Sequence, residues 1–438
     1  MKEWLKKLFP HFFKYVRVAY VRVAKFIKTI RNLKYWFVIA LMKLSVYMPK
    51  LNKVYKNFES KPGRFISFEE YMEKYPECVE LLFKNTQELS YCPPTFFDDR
   101  LPSNKTKSGI NYTQYAAIIK SGIIIGGSDL IILKDSNVLY NLKTIDTENR
   151  YLYTDGGIKY YTNNSLVYSN RRKHLSLASA IWLGGNFTWN YYHFMYECLI
   201  KFVLIKDLNI DTNIPIVIDK VCNEIPQFRE LIGFLNIENR EIITLGSGNS
   251  CKVDRLFYIF SPNIIPPNLK NDKDMRDSDL QFNKESVIKL RCMLLKFKSD
   301  KSFPNRVFIS RKNASSRRKF NEDDVLSVLK KYNFVEVAPE EYSVSDQMSL
   351  FHGADFIAGG SGAAFTNLLF CKSSSKALIF AKAKLPFSGF SSIADFIGME
   401  LKYFINTSQN LEGLDSMHDS FTINTKELDS YLFRCFST

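Results

Sequence analysis

Two clusters of residues in this 438-residue chain have the types and spacing for chemistry. The first is Gly184-Gly-Asn-Phe-Thr-Trp-Asn-Tyr-Tyr-His193-Phe-Met-Tyr-Glu197. His193 and Glu197 stand four apart, so a helix starting near Asn190 puts them on one face. A carboxylate there orients an imidazole and raises its basicity, the usual construction of a general base. The competing reading is a histidine packed among Tyr191, Tyr192 and Phe194. A metal site would need a third ligand that the sequence does not supply. The second cluster is Val307-Phe-Ile-Ser310-Arg311-Lys-Asn-Ala-Ser-Ser-Arg317-Arg318-Lys-Phe-Asn321-Glu322. Here a strand runs into a cationic loop, and Asn321 caps the helix that follows. Arginines beside a helix N-terminus at the end of a parallel strand make an anion site, since the guanidinium fork suits phosphate. The competing reading is a solvated loop.

A third stretch supports the second. Phe356-Ile-Ala-Gly359-Gly360-Ser361-Gly362-Ala363-Ala-Phe-Thr-Asn367 ends a strand in small residues before a helix. The backbone amides it frees can approach a diphosphate closely. It is neither the dinucleotide G-x-G-x-x-G nor a P-loop. Asp277-Ser-Asp279 has the D-x-D form used to hold metals, but it sits in a charged stretch and reads as a solvated run.

The elements that must position these residues follow from periodicity. Residues 115–182 read as short strands and turns. They include a hairpin at Ile123-Ile-Ile, Gly126-Gly-Ser-Asp, Leu130-Ile-Ile-Leu, and another at Tyr151-Leu-Tyr before Asp155-Gly-Gly. Strands over 214–218, 242–245 and 255–260 then alternate with a helix over 226–235. Pro262 to Asp279 is polar and reads as a linker. Beyond it come a helix over 280–298, strands at 307–310, 334–337, 355–358, 377–380 and 403–405, and helices at 322–332, 344–351 and 363–370. Strands alternating with helices imply a parallel sheet with crossovers, which binds ligands at the carboxyl ends of its strands.

The formal net charge is +15, which by itself suggests a nucleic-acid partner. Its distribution does not. Residues 1–60 carry 14 Lys and Arg against Glu3 and Glu59, a net of +12, and the remainder is nearly neutral. From Leu5 to Leu44 apolar residues recur in steps of three and four with lysines and arginines between them. The longest uncharged run there, Tyr35 to Met42, is far short of the roughly 20 residues that span a bilayer. The arm therefore reads as a helix on an anionic membrane surface, each basic group contributing about 1 kcal/mol. A helix packed on its own protein is the alternative. No apolar core of signal-peptide length follows Met1-Lys2, and the eight cysteines are scattered, which points to a reducing, cytoplasmic setting. Asn111-Tyr-Thr and Asn186-Phe-Thr match the glycosylation pattern by chance in an Asn-rich chain.

Taken in order, the pieces resemble the family-61 glycosyltransferases of bacterial capsular polysaccharide biosynthesis. Those pieces are Asn190-Tyr-Tyr-His193 with an acid four later, Ile309-Ser-Arg311, Arg317-Arg318, Asn321-Glu322, Gln347, and the turn into Thr366-Asn367-Leu-Leu-Phe370. The similarity runs over about residues 180–382. It implies two Rossmann-like lobes of GT-B type, with a strand-rich N-terminal part. On that basis residues 1–60 are the membrane-surface arm, 61–265 the acceptor lobe and 266–438 the nucleotide-sugar donor lobe. Catalysis would rest on His193 and Glu197. Ser310, Arg311, Arg317, Arg318, Asn321, Glu322, Gly360, Ser361, Gly362, Ala363 and Asn367 would hold the donor. The resemblance further implies inversion at the sugar, no obligatory metal, and no cofactor beyond the nucleotide-sugar co-substrate. The partners are a glycan acceptor, lipid-linked or free, and an anionic membrane, with no nucleic acid. The family often carries a histidine before Gly-Ala in the last turn; Ser361 stands there, which leaves His193 as the base. Two other functions stay open: a non-catalytic membrane-surface protein of a polysaccharide assembly complex, and a transferase of another activated group such as pyruvate.

Overall fold

A computed structural model of the chain describes Leu33 and residues 58–62, 64–98, 106–135, 137–153, 158–162, 165–169, 171–266, 269–271, 275–312, 319–382, 388–405 and 420–436. Nearly all of the basic arm, Arg317 and Arg318 lie outside the described residues. The architecture is mixed α/β. Its larger sheet has nine strands. The ones that matter here are β1 (Val79–Tyr91), β2 (Lys107–Ile125), β3 (Arg171–Trp182), β4 (Ile216–Asp219), β5 (Ile242–Leu245) and β6 (Asn249–Ile259), in the order β5-β4-β3-β6-β2 with β1 on β2. The four strands β5-β4-β3-β6 are parallel, while β2 pairs antiparallel with both β6 and β1. The second sheet is wholly parallel: β7 (Arg306–Ile309), β8 (Val335–Val337), β9 (Phe356–Gly360), β10 (Lys376–Ala381) and β11 (Glu400–Ile405), in the order β8-β7-β9-β10-β11.

Strand order reverses once in each parallel set, between β3 and β6 and between β7 and β9. Connections leave for opposite faces at such a point and open a crevice at the strands' carboxyl ends. The glycine stretch after β3 and the arginine after β7 therefore both sit at a crevice mouth. Around the second sheet lie α1 (Lys284–Leu294), α2 (Glu322–Lys330), α3 (Val344–Gly353), α4 (Ser388–Ile397) and α5 (Thr425–Phe436). Asn283 starts α1 by accepting from Ser286 N at 2.7 Å, and Ser343 starts α3 by accepting from Asp346 N at 3.2 Å. One buried cluster joins the two sheets, running from Ile181, Phe194 and Leu199 through Val287 and Leu290 to Val307 and Leu368. Each such side chain contributes about 2 kcal/mol of burial, so the sheets share a core.

Several expectations change. The helix expected from Leu280 begins only at Lys284, because Gln281 bridges to Ile264 and Asn283 is spent as the cap. Asp277-Ser-Asp279 is not a solvated run. Asp279 is 7% exposed and accepts from both nitrogens of the Arg150 fork (2.6 and 3.1 Å), Tyr151 Oη (2.7 Å) and Arg276 N (2.8 Å). A buried carboxylate needs such partners, and the arginine lies 129 residues away in sequence. Tyr151 opens no hairpin; it bridges to Leu269, while residues 154–157 lie outside the described residues. The 64–108 stretch holds the 13-residue β1, and its continuation crosses to the second sheet. Phe97 N donates to Tyr403 O (3.0 Å), and the Phe97 ring stacks on Phe404. The hairpin at 123–132 forms in the expected place, with Ile123 opposite Ile132.

Candidate active site

β3 ends at Trp182, and the chain turns through Gly184 and Gly185. A Cβ on Gly184 would lie 2.1 Å from the Trp182 ring, so only glycine lets the loop double back there. The loop is pinned by a residue the sequence did not single out. Asp219, the last residue of β4, is 3% exposed and accepts from Gly127 N (2.6 Å), Gly185 N (3.1 Å) and Thr188 Oγ1 (2.9 Å). Burial pushes its carboxyl up to about 6, against the pull of those three donors and of Lys201. Its position at the carboxyl end of a parallel strand was the available signal.

Asn190 then caps a helical run by accepting from Tyr192 N at 3.0 Å. The run is irregular: α over Tyr191–His193, a π-turn over Phe194–Cys198, 3-10 over Leu199–Lys201, and α again over Phe202–Ile205. A π-turn is a poor local choice energetically and recurs at functional sites. Here it carries Glu197, whose Oε2 bonds His193 Nδ1. Both side chains keep a little exposure, 18% and 16%. The Phe187 ring lies 5.2 Å from the imidazole, and Trp189 beside it is 59% exposed. The packed-histidine alternative is thus half right: aromatic rings flank His193, yet its Nδ1 has a carboxylate partner.

At the second crevice β7 gives way to Ser310 and Arg311. Glu322, in the first turn of α2, accepts from Ser310 Oγ (2.9 Å) and Arg311 N (2.7 Å). The guanidinium crosses to the turn after β9 and donates to Ser361 O at 3.0 Å. Its charge is partly desolvated, and burial lowers its pKa against the pull of Glu322 and Glu340. The glycines admit it: a Cβ on Gly362 would come within 1.9 Å of Arg311 Nη1, and one on Gly360 within 2.6 Å of Phe320 and 2.8 Å of Arg311 Cδ. Ser361 is buried, its N donating to Phe380 O at 2.8 Å. Ala363 begins the helix expected over 363–370, which is of the 3-10 type.

Three residues expected against the donor are used as braces. Asn321 stands at the start of α2 but does not cap it. Its side chain takes both backbone groups of Ile423, accepting at 2.8 Å and donating at 3.1 Å. Glu322 holds the start of the arginine loop, as above. Asn367, 1% exposed, accepts from Tyr191 Oη (2.7 Å) and donates to Gln347 Oε1 (2.8 Å). Lys312 turns away to Glu336 at 2.8 Å. The first turn of α2 carries Glu322, Asp323 and Asp324, whose charges oppose an anion at that helix start.

The Tyr191–Asn367–Gln347 chain links the helical run bearing His193 to the 3-10 helix that continues the glycine turn. Tyr196 Oη adds a bond to Thr366 O at 3.3 Å. Burial raises the Tyr191 phenol above its ordinary value, so it serves as a neutral donor. A candidate base and a candidate phosphate cradle, 118 residues apart between His193 and Arg311, are thereby held by one hydrogen-bonded brace.

Residues 191–378 match the family described as Glycosyltransferase 61. That span starts at the brace tyrosine and includes His193, Glu197, the Arg311 loop and the glycine turn. The match supports a glycosyltransferase. No curated protein matches the chain. Among the described residues no group of three or more His, Cys, Asp or Glu is placed to hold a metal ion.

Proposed function

We propose that the protein transfers a sugar from a nucleotide-diphospho-sugar to a hydroxyl of a glycan acceptor, with inversion, in bacterial surface polysaccharide synthesis. The observation that supports this reading is the brace: the Tyr191–Asn367 bond ties the helical run bearing the His193–Glu197 pair to the 3-10 helix that follows the turn crossed by Arg311. In this mechanism the diphosphate lies against Arg311 and the turn from Gly360 to Ala363, and Arg317 and Arg318 are assigned as further cations. Glu197 holds Nδ1 of His193, so Nε2 faces the acceptor and takes its proton as the hydroxyl attacks the anomeric carbon. The bond from that carbon to the diphosphate breaks, and the leaving group gains charge. A cation placed there in advance stabilises the transition state as well as the bound donor. The chemistry of these residues needs neither a metal nor a cofactor. The two crevices correspond to an acceptor lobe and a donor lobe in a GT-B arrangement. The arm over residues 1–60 keeps the enzyme at the cytoplasmic face of an anionic membrane, where a lipid-linked acceptor is found; no helix of the described residues is long and apolar enough to cross one.

A thermal-shift panel of sugar nucleotides identifies the donor. With it, His193→Ala loses at least a hundredfold in kcat while donor affinity by calorimetry is kept. Full turnover in that variant would remove His193 from the mechanism.

A further inference from the structure

Below Glu197 lies a polar cavity that the proposed mechanism does not use. Glu197, Asp129 and Lys201 all line it, together with Tyr112, Asn186 and Tyr258. Lys201 is 2% exposed, and a buried ammonium persists only with anionic company. Three carboxylates compete for it. Asp129, just past the tip of the 123–132 hairpin, is closest, with Oδ1 3.6 Å from Nζ. Asp219 also feels its charge but is already saturated by three donors. Glu197, four residues before Lys201 on the same helical run, is the third, and its Oε2 is engaged with His193. The ammonium sits 5.9 Å from the centre of the Tyr258 ring. The other titratable groups around it, the Cys198 thiol and the phenols of Tyr112 and Tyr258, are all pushed up by burial and stay neutral.

A buried ammonium pairs more strongly with a carboxylate than a neutral imidazole N–H does. Left without another anion, Lys201 would draw Glu197 away from His193. We propose that Asp129 is a positioning residue for the transfer reaction: it pairs with the Lys201 ammonium and so reserves Glu197 for His193. The inference rests on His193 being the base, but its first effect is on the imidazole itself. With Glu197 reserved, the neutral ring keeps its proton on Nδ1 and presents a bare Nε2. With Glu197 captured by Lys201, the ring is free to move that proton to Nε2 and loses its basic face.

The test is the tautomer of His193, read by long-range proton–nitrogen NMR on the full chain at about pH 8.5, where imidazole is neutral. The resonance is assigned with His193→Gln. Wild type shows the Nδ1–H form. Asp129→Asn moves the ring toward Nε2–H and lowers kcat about tenfold with donor KM unchanged. Asp129→Asn with Lys201→Met removes both charges and restores tautomer and kcat. Lys201→Met alone keeps the wild-type tautomer, because the ammonium that would compete for Glu197 is gone. A purely structural ion pair would instead make Lys201→Met as harmful as Asp129→Asn. An unchanged tautomer in Asp129→Asn, or no recovery in the double variant, overturns the inference. If Asp129→Asn does not fold, a switched tautomer in Lys201→Met or in the double variant overturns it equally. Should these tautomers follow the expected pattern while His193→Ala still turns over, the base assignment fails and the control of the ring by Asp129 stands. Should His193→Ala be inactive and the tautomer not respond, only the inference fails.

Discussion

The two crevices look alike in sequence and are built in opposite ways. Each is a strand, then glycines, then a helical turn. At the first, the buried organiser is an anion: Asp219 gathers two backbone amides and a hydroxyl and fixes the loop leading to His193. At the second it is a cation: Arg311 lies across the glycine turn and bonds Ser361 O. The carboxylate of the first is buried and spent on the protein's own donors, which fix the loop. The guanidinium of the second reaches across the turn to the carbonyl of Ser361, and its planar fork is suited to an anionic ligand. Glycine marks where a chain can come close, and the buried ion decides what is brought there.

The comparison breaks most visibly at Arg311. Arg311→Ala should weaken binding of the nucleoside diphosphate selected from a thermal-shift panel by about tenfold to a hundredfold, the contribution of charge-assisted hydrogen bonds. Gly362→Ala should do nearly as much with the arginine still present, since its Cβ takes the space of Nη1. Calorimetry decides this, and unchanged affinity in both variants would mean that the cradle lies elsewhere. Next in size is the brace. Tyr191→Phe leaves the buried Asn367 Oδ1 without its donor and should cost about 1–2 kcal/mol in urea denaturation. A loss confined to kcat, with stability unchanged, would show the phenol acting in the reaction instead.

The smallest effect sharpens the anionic side. Folding raises the Asp219 carboxyl from the usual 3.8 to about 6, so the folded state holds the proton more tightly than the unfolded one. That contribution is fully present below pH 3.8 and is lost as pH rises through 6. Wild type should therefore gain stability over Asp219→Asn by about 1 kcal/mol between pH 7 and pH 5. Parallel denaturation curves at the two pH values check it, and a constant difference would mean that Asp219 is already satisfied as an anion.

Much of the second sheet could be read directly, because most of its strands contain a short apolar run flanked by turn residues, and alternation with helices dictates parallel pairing. β1 could not, since its 13 residues include Glu80, Lys84, Glu88 and others that face solvent and hide the pattern. Likewise α4 and α5 went unread: Ser388–Ile397 is small and apolar without a clear polar face. His193 and Glu197 were legible because a spacing of four survives the π-turn. Asp219, Asp129 and Lys201 were not. A single acid after an apolar run, or a single lysine within one, carries no local sign of burial.

By itself the sequence determined where chain direction changes, which faces are apolar, and that a histidine and an acid share a helical face; these follow from local sterics and period. It also confined the excess charge to residues 1–60. Only the tertiary structure decided which charges are buried and beside what. Burial arises from chain segments far apart, as when Asp279 meets Arg150 across 129 residues or Asn367 meets Tyr191 across 176. The chemistry of an ion depends on the water it has lost, and that loss is a property of the folded packing, not of neighbours in sequence.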